Sequence, residues 1–174
     1  MIRLVLFQPE IPPNTGNVSR LCAATDTELH LIEPLGFRLD DKHLRRAGLD
    51  YWPHVKLTVW PGWEAFLAGK APGRLAPCSS NRGAPHHVFG FEPDDFLVLG
   101  PETTGLDEGL FPGAAWVRIP IWGQVRSLNL STAAGVLLYE ALRQTGGLLE
   151  PGPGHEAPPA ASTPKRRAAR EDDA

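Results

Sequence analysis

IRLVLFQPEIPPNTGNVSRLCAATDTELHLIEP, residues 2–34, holds two apolar runs separated by one helical pattern. Ile2 to Phe7 is apolar throughout except for Arg3, as expected of a strand buried on both faces of a parallel sheet. Pro12-Pro13 sets up a helix start. From Asn14 to Asp26, Val18, Leu21, Cys22 and Thr25 fall on one helical face, while Asn17 and Arg20 share another. Leu29 to Glu33 is a second strand, closed by Pro34. Strand, helix and strand within so short a span predict a βαβ unit.

The pattern continues outward from there. Val55 to Val59 is a third predicted strand, Trp63 to Leu67 a helical turn or two, and Arg74 to Cys78 a weaker strand in which Pro77 removes a ladder donor. Phe96 to Leu99 and Trp116 to Ile119 are further strands, the second ended by Pro120. Asp40 to Ala47 begins with acids and ends with bases, which predicts a short helix whose Lys42, Arg45 and Arg46 form a positive face. Ser79 to Gly90 is polar and reads as a loop. Near the end, QVRSLNLSTAAGVLLYEALRQ (Gln124 to Gln144) runs from a polar hexad straight into an apolar helix. Leu130, Ala134, Leu137, Leu138 and Ala141 give that helix its buried stripe, Asn129 is its cap candidate, and Gly146-Gly147 is its stop.

The expected architecture is α/β, a mostly parallel sheet flanked by helices, in one domain over residues 1–149. Residues 150–174 form a Pro/Gly/Ala-rich tail with almost no large apolar side chain, a composition that predicts disorder. A length of 174 residues, 42% of them hydrophobic, suffices for one core. The net charge of -3 supplies no global basic field, so contact with nucleic acid would rest on a local patch. Ala84 to Val117 carries six acids and no Lys or Arg, whereas Arg38 to Lys56 is locally basic. Two cysteines give no disulfide framework, and the six histidines show no metal spacing, so a reducing cytoplasm and no metal are expected. The N-terminal apolar run is too short for a membrane span.

Three polar loops each follow a predicted strand: Gln8 to Asn17, Gly100 to Gly105, and Pro120 to Ser131. In an open α/β sheet such loops gather beyond the carboxyl ends of the strands, so they are expected to build one site. Ser127 and Asn129 fall at a helix start, where unpaired N–H groups favour an acceptor-rich ligand or simply a cap. No G-x-G-x-x-G follows the first strand, and neither a G-x-x-x-x-G-K-[ST] loop nor a G-x-S-x-G elbow occurs. Common dinucleotide, nucleotide-triphosphate and serine-hydrolase chemistries are therefore disfavoured.

NTGNVSR (14–20), FLVLGPETTGL (96–106) and IPIWGQVRSLNLS (119–131) together resemble the three motifs of the SPOUT-class RNA 2′-O-methyltransferases. IPPNTGN and DDKHLRRAGLDYW resemble most closely the branch that modifies the tRNA wobble ribose. The resemblance covers about residues 1–146. It implies a deep trefoil knot toward the C-terminal end, a homodimer, S-adenosylmethionine as cofactor and tRNA as partner. By motif position it implies a catalytic or RNA-handling set of Asn14, Arg20, Glu102, Ser127 and Asn129. Cofactor contacts are implied around Cys78, Gly100, Ile119 and Ser127, with Leu128 nearby. Arginine is almost always protonated, so Arg20 suits phosphate positioning and oxyanion stabilisation better than proton abstraction. Methylation of another tRNA or rRNA ribose, or a catalytically silent RNA-binding dimer, are the alternatives. The chain departs from the family pattern at Thr104, where arginine is frequent, at Asp107, where proline is frequent, at Trp122-Gly123, which replaces a proline-bearing turn, and at Pro77. These departures bear on the RNA pocket and cofactor contacts more than on the reaction.

Overall fold

The computed structural model describes residues 1–39 and 52–148. The helix expected at Asp40 to Ala47 and the tail from residue 150 lie outside the described residues. Within them the chain forms β1 (Arg3–Phe7), α1 (Pro12–Ala24), β2 (Glu28–Ile32), β3 (Leu57–Trp60), α2 (Trp63–Gly69), β4 (Leu75–Ser79), β5 (Ala84–Pro85), β6 (Phe96–Leu99), β7 (Val117–Arg118) and α3 (Leu130–Thr145). The strands make one sheet in the order β3-β2-β1-β6-β4-β7-β5, and every pairing is parallel. Every strand therefore points its carboxyl end the same way.

From β1 the chain builds outward in one direction through β2 and β3, then crosses to the other side to lay β4 and β5 before β6 enters between β1 and β4. The order reverses between β1 and β6, which is where an open α/β sheet leaves a crevice. In register, Leu4 of β1 lies between Leu29 of β2 and Leu97 of β6. Pro77 is buried opposite Val98, immediately before β4 passes from its partner β6 to its partner β7 at Cys78. The missing N–H thus falls where the strand changes neighbours. β5 is the strand that sequence reading left in a loop: two residues, one of them proline, carry no period.

The sheet is covered on both faces. One face packs Leu4, Leu6, Leu29, Leu31 and Leu97 with Val18 and Cys22 of α1 and with Ala134, Leu137, Leu138 and Ala141 of α3. The other gathers Val5, Ile32, Trp63, Phe66, Phe96 and Phe111. The stripe expected on α3 is the observed buried one. On α1, by contrast, Leu21 and Thr25 are only partly buried, and Asn14, Thr15, Gly16 and Ser19 complete the inward face. Small and polar residues there let α1 pack against α3, and the Ser19 hydroxyl is satisfied by the Thr15 carbonyl at 2.8 Å. α3 starts at Asn129, whose Oδ1 accepts from the N–H groups of Ser131 and Thr132, and stops at Gly146 with φ 78°.

Candidate active site

Because β1, β6, β4 and β7 are parallel, the loops that leave them emerge on one side and surround a cleft of about 790 Å³. It is lined from the β1 loop by Ile11 and Asn14, and from the β4 loop by Ser79 to Arg82. Pro101 to Leu106 contribute from the β6 loop, and Ile119, Ile121 and Arg126 to Leu130 from the last. The three polar loops expected to converge do so.

The β1 and β6 loops are tied by a reciprocal exchange of carboxylates. Glu10 accepts from the Thr103 N–H at 2.9 Å and the Thr103 hydroxyl at 2.7 Å. In return, Glu102 accepts from the N–H groups of Glu10 at 2.8 Å and Ile11 at 3.3 Å. These N–H groups stand at the start of α1, where Ile11 caps the helix without a side-chain bond and the two prolines donate nothing, so the carboxylate supplies an acceptor that the local sequence lacks. Gly100 is required by the same closure. A Cβ there would lie 2.6 Å from the Gly105 carbonyl carbon and 2.7 Å from the Leu106 nitrogen. Gly105 itself adopts φ 70°.

A second chain of bonds reaches from Glu102 to α3. The Asn14 Nδ2 donates to Glu102 Oε1 at 2.9 Å, and the Asn129 Nδ2 donates to Asn14 Oδ1 at 2.8 Å. Asn129 Oδ1 is then left for Ser131 N–H at 2.9 Å and Thr132 N–H at 3.3 Å. The direction of every bond is forced from both ends, since a carboxylate only accepts and a helix N-terminus only donates. Asn14, although polar, is 5% exposed, so its orientation is locked.

The residues implied as catalytic are therefore placed unequally. Asn14, Glu102 and Asn129 form one bonded set, and Ser127 lines the cleft beside them. Glu102 is engaged by three donors and acts as an anchor of the two loops. Arg20 is exposed on α1 and is not among the residues lining the cleft. All five residues implied as cofactor contacts, Cys78, Gly100, Ile119, Ser127 and Leu128, line it. Burial pushes the Cys78 thiol up, so it is a neutral wall rather than a thiolate nucleophile.

Sequence reading missed Glu10, Thr103 and Arg82. Glu10 stood in a polar loop after a strand, but only the adjacency of β1 and β6 shows which loop it grips. Among the described residues Glu102 is the one carboxylate in the lining, whereas Arg82 and Arg126 both line it, with Arg82 ion-paired to Glu108. Leu99, Ile119, Ile121, Leu128 and Leu137 give the cleft an apolar side. The volume is within the range of about 300–1,000 Å³ usual for small-molecule sites. Among the described residues no group of His, Cys, Asp and Glu is placed to hold a metal, and no helix is long and apolar enough to cross a membrane.

The chain is similar to proteins of known activity. A protein of Methylovorus glucosotrophus (strain SIP3-4) named tRNA (cytidine(34)-2′-O)-methyltransferase is 50% identical over 147 residues, covering 83% of this chain and 96% of that protein. The Escherichia coli (strain K12) protein of the same name is 46% identical over 149 residues, covering 84% and 95%. A solved structure described as giving insights into the 2-OH methylation of C/U34 on tRNA superposes with a TM-score of 0.79 at 48% identity, covering 83% of this chain and 95% of that one. The methyltransferase AviRb of Streptomyces viridochromogenes, solved in complex with AdoMet, superposes with a TM-score of 0.68 at 26% identity, covering 83% of this chain and 60% of that one. The profile described as the SpoU rRNA Methylase family matches residues 1–139. With four-fifths of its length matched to that profile and its switch-point cleft built from the three motif loops, the chain belongs to the SpoU methylase family.

Proposed function

We propose that the protein is a tRNA 2′-O-methyltransferase that transfers a methyl group from S-adenosylmethionine to the ribose of the wobble nucleotide, cytidine or uridine 34. The observation that carries this reading is the bonded set Glu102, Asn14 and Asn129, which joins all three motif loops around one cleft in a chain 50% identical to an enzyme of that name.

The cleft fits the cofactor. Its apolar side suits an adenine ring, and its rim of main chain around Gly100, Ile119 and Ser127 suits directed hydrogen bonds. Glu102, the lone carboxylate of the lining among the described residues, is already bonded to three donors. When bound, S-adenosylmethionine would supply an electrophilic methyl for in-line attack by a ribose 2′-hydroxyl, with the C–S bond breaking as the O–C bond forms, the neutral thioether leaving and the hydroxyl proton passing to solvent. The protein's part is placement and charge. Cys78, Gly100, Ile119, Ser127 and Leu128 hold the cofactor. Asn14 and Asn129 fix the floor on which the ribose rests, and Ser127 orders the hydroxyl. Arg20, exposed on α1 outside the lining, engages the RNA phosphate and so positions the ribose.

The same reading includes a deep trefoil knot toward the C-terminal end, a homodimer and a cytoplasmic setting. In support of the knot, the chain visits β4, β6 and β7 in sequence, yet β4 lies between the other two and the loops beyond all three share one cleft. In support of the dimer, Val136 and Tyr139 remain 37% and 48% exposed on α3, whose opposite face is core. The free cysteines Cys22 and Cys78 agree with a reducing compartment.

The test is methylation of total tRNA from a strain lacking wobble ribose methylation, followed by nucleoside mapping. A methyl on the ribose of nucleotide 34 is expected. A methyl on a base or on another ribose would overturn the assignment, and failure to bind S-adenosylmethionine by calorimetry would favour a silent RNA-binding dimer.

A further inference from the structure

Trp122 is 91% exposed, the most exposed of the large apolar side chains described. Trp60, Trp63 and Trp116 each pack against another ring, while Trp122 makes no aromatic or cation–π contact among the described residues. A tryptophan left in water forgoes a large burial gain, and on a loop that lines a cleft its ring is available to whatever enters there. Ile121, the residue before it, lines the cleft, and so does Arg126, four residues on. Trp122 is not itself in the lining, but it sits on the β7 loop between those two lining residues, the loop that also carries Ser127 and Asn129. Beside it, Gly123 has open space where a Cβ would be, and Val125 is 62% exposed, so nothing in the described chain covers this corner.

We infer that Trp122 is a stacking platform for an unpaired base of the substrate RNA next to the methylated nucleotide. The inference rests on the proposed tRNA activity and adds the residue that holds the bases. A ribose presented to a cleft must be drawn out of its neighbours' stack, and the flanking bases then need another π surface. A net charge of -3 leaves little general attraction for phosphate, which gives stacking a larger share of the affinity. Arg126, four residues on and in the cleft lining, supplies positive charge on the same loop.

The experiment compares wild type, Trp122→Ala and Trp122→Phe for binding and methylation of unmodified tRNA across a range of salt concentrations, with solution mass and S-adenosylmethionine affinity measured alongside. Alanine is expected to raise Kd and KM for tRNA about 5- to 100-fold with kcat at saturating tRNA little changed, and phenylalanine to restore most of the loss. The salt dependence should stay parallel to wild type, because stacking releases no counterions. Alanine binding within about twofold of wild type would overturn the inference, since one stacked base contributes more than that. A fall in solution mass on substitution would also overturn it, assigning Trp122 to contact between copies of the chain. Wild type that binds no tRNA would instead sink the proposed function and this inference with it.

Discussion

The two ends of the same strands are held by opposite kinds of chemistry. At the amino ends, charges close the sheet: Arg3 bonds Glu28 at 3.1 Å and Asp94 at 3.3 Å, and the N-terminal ammonium also meets Asp94. Asp95, with no exposed surface, is gripped by Arg74 through Nε at 2.9 Å and Nη2 at 2.7 Å, and by the Glu92 N–H at 2.9 Å. At the carboxyl ends, two amides and a hydroxyl-bearing loop are ordered by Glu102 and Glu10, and the cleft beside them stays open. One end uses its acceptors up, and the other fixes directions while leaving a surface for a ligand. Stability and function are thus assigned to separate ends of β1 and β6, and single substitutions should separate them.

The largest effect belongs to the closed end. Asp95→Ala leaves the Glu92 N–H without its acceptor and Arg74 with only Glu92 and the Gly90 carbonyl, and should cost about 1–3 kcal/mol in urea unfolding, with methylation per folded molecule within about twofold of wild type. Equal losses in both would mean the two ends are not separable. At the open end, Glu102→Ala should lower kcat/KM for tRNA about 100-fold by misplacing both loops, with a smaller change in melting temperature than Asp95→Ala gives. Asn129 sharpens the contrast further. Asn129→Ala loses the cap and should cost about 1 kcal/mol, whereas Asn129→Asp keeps the cap acceptor but not the donor to Asn14. Aspartate should therefore retain stability and still lose activity; full activity in it would remove the amide relay from the site.

The smallest effect is pH dependence from the aromatic face. His30 is buried against Trp60, Phe66 and Phe96, accepts the Trp60 indole N–H on Nδ1 at 3.1 Å, and has its pKa lowered by burial. The folded state thus holds His30 neutral, and the unfolded state binds the proton more readily. Its contribution is present above the ordinary histidine value, near 6.5, and is lost as pH falls below it. Melting temperatures from pH 8 to pH 5 should fall less steeply in His30→Asn, which keeps an acceptor toward Trp60.

Much of this was legible in the chain. Apolar runs located β1, β2 and β6 because a parallel strand buried on both faces needs uninterrupted apolar residues. Asn129 and Gly146 marked the ends of α3 because capping is local. The face of α1 that carries Val18, Leu21 and Cys22 does meet the core, but the burial of Asn14, Thr15 and Ser19 leaves no apolar signal, because it comes from packing against α3 and from bonds to other loops. β5 gave no signal because two residues held only by β7 leave no trace in periodicity. Glu10 and Glu102, 92 positions apart, became partners only through the neighbourhood of β1 and β6. The three loops that line the cleft could be named from the motifs, although Arg20 of the first motif lies outside the lining, whereas the direction of each bond needed the strand order.

The reciprocal grip of Glu10 and Glu102 also has a mechanical side. Two loops joined by one contact can hinge, but two loops joined by a crossed pair of contacts move as a single body. The β6 loop and the first turn of α1, which leads to Arg20, are therefore held as one piece of the cleft wall.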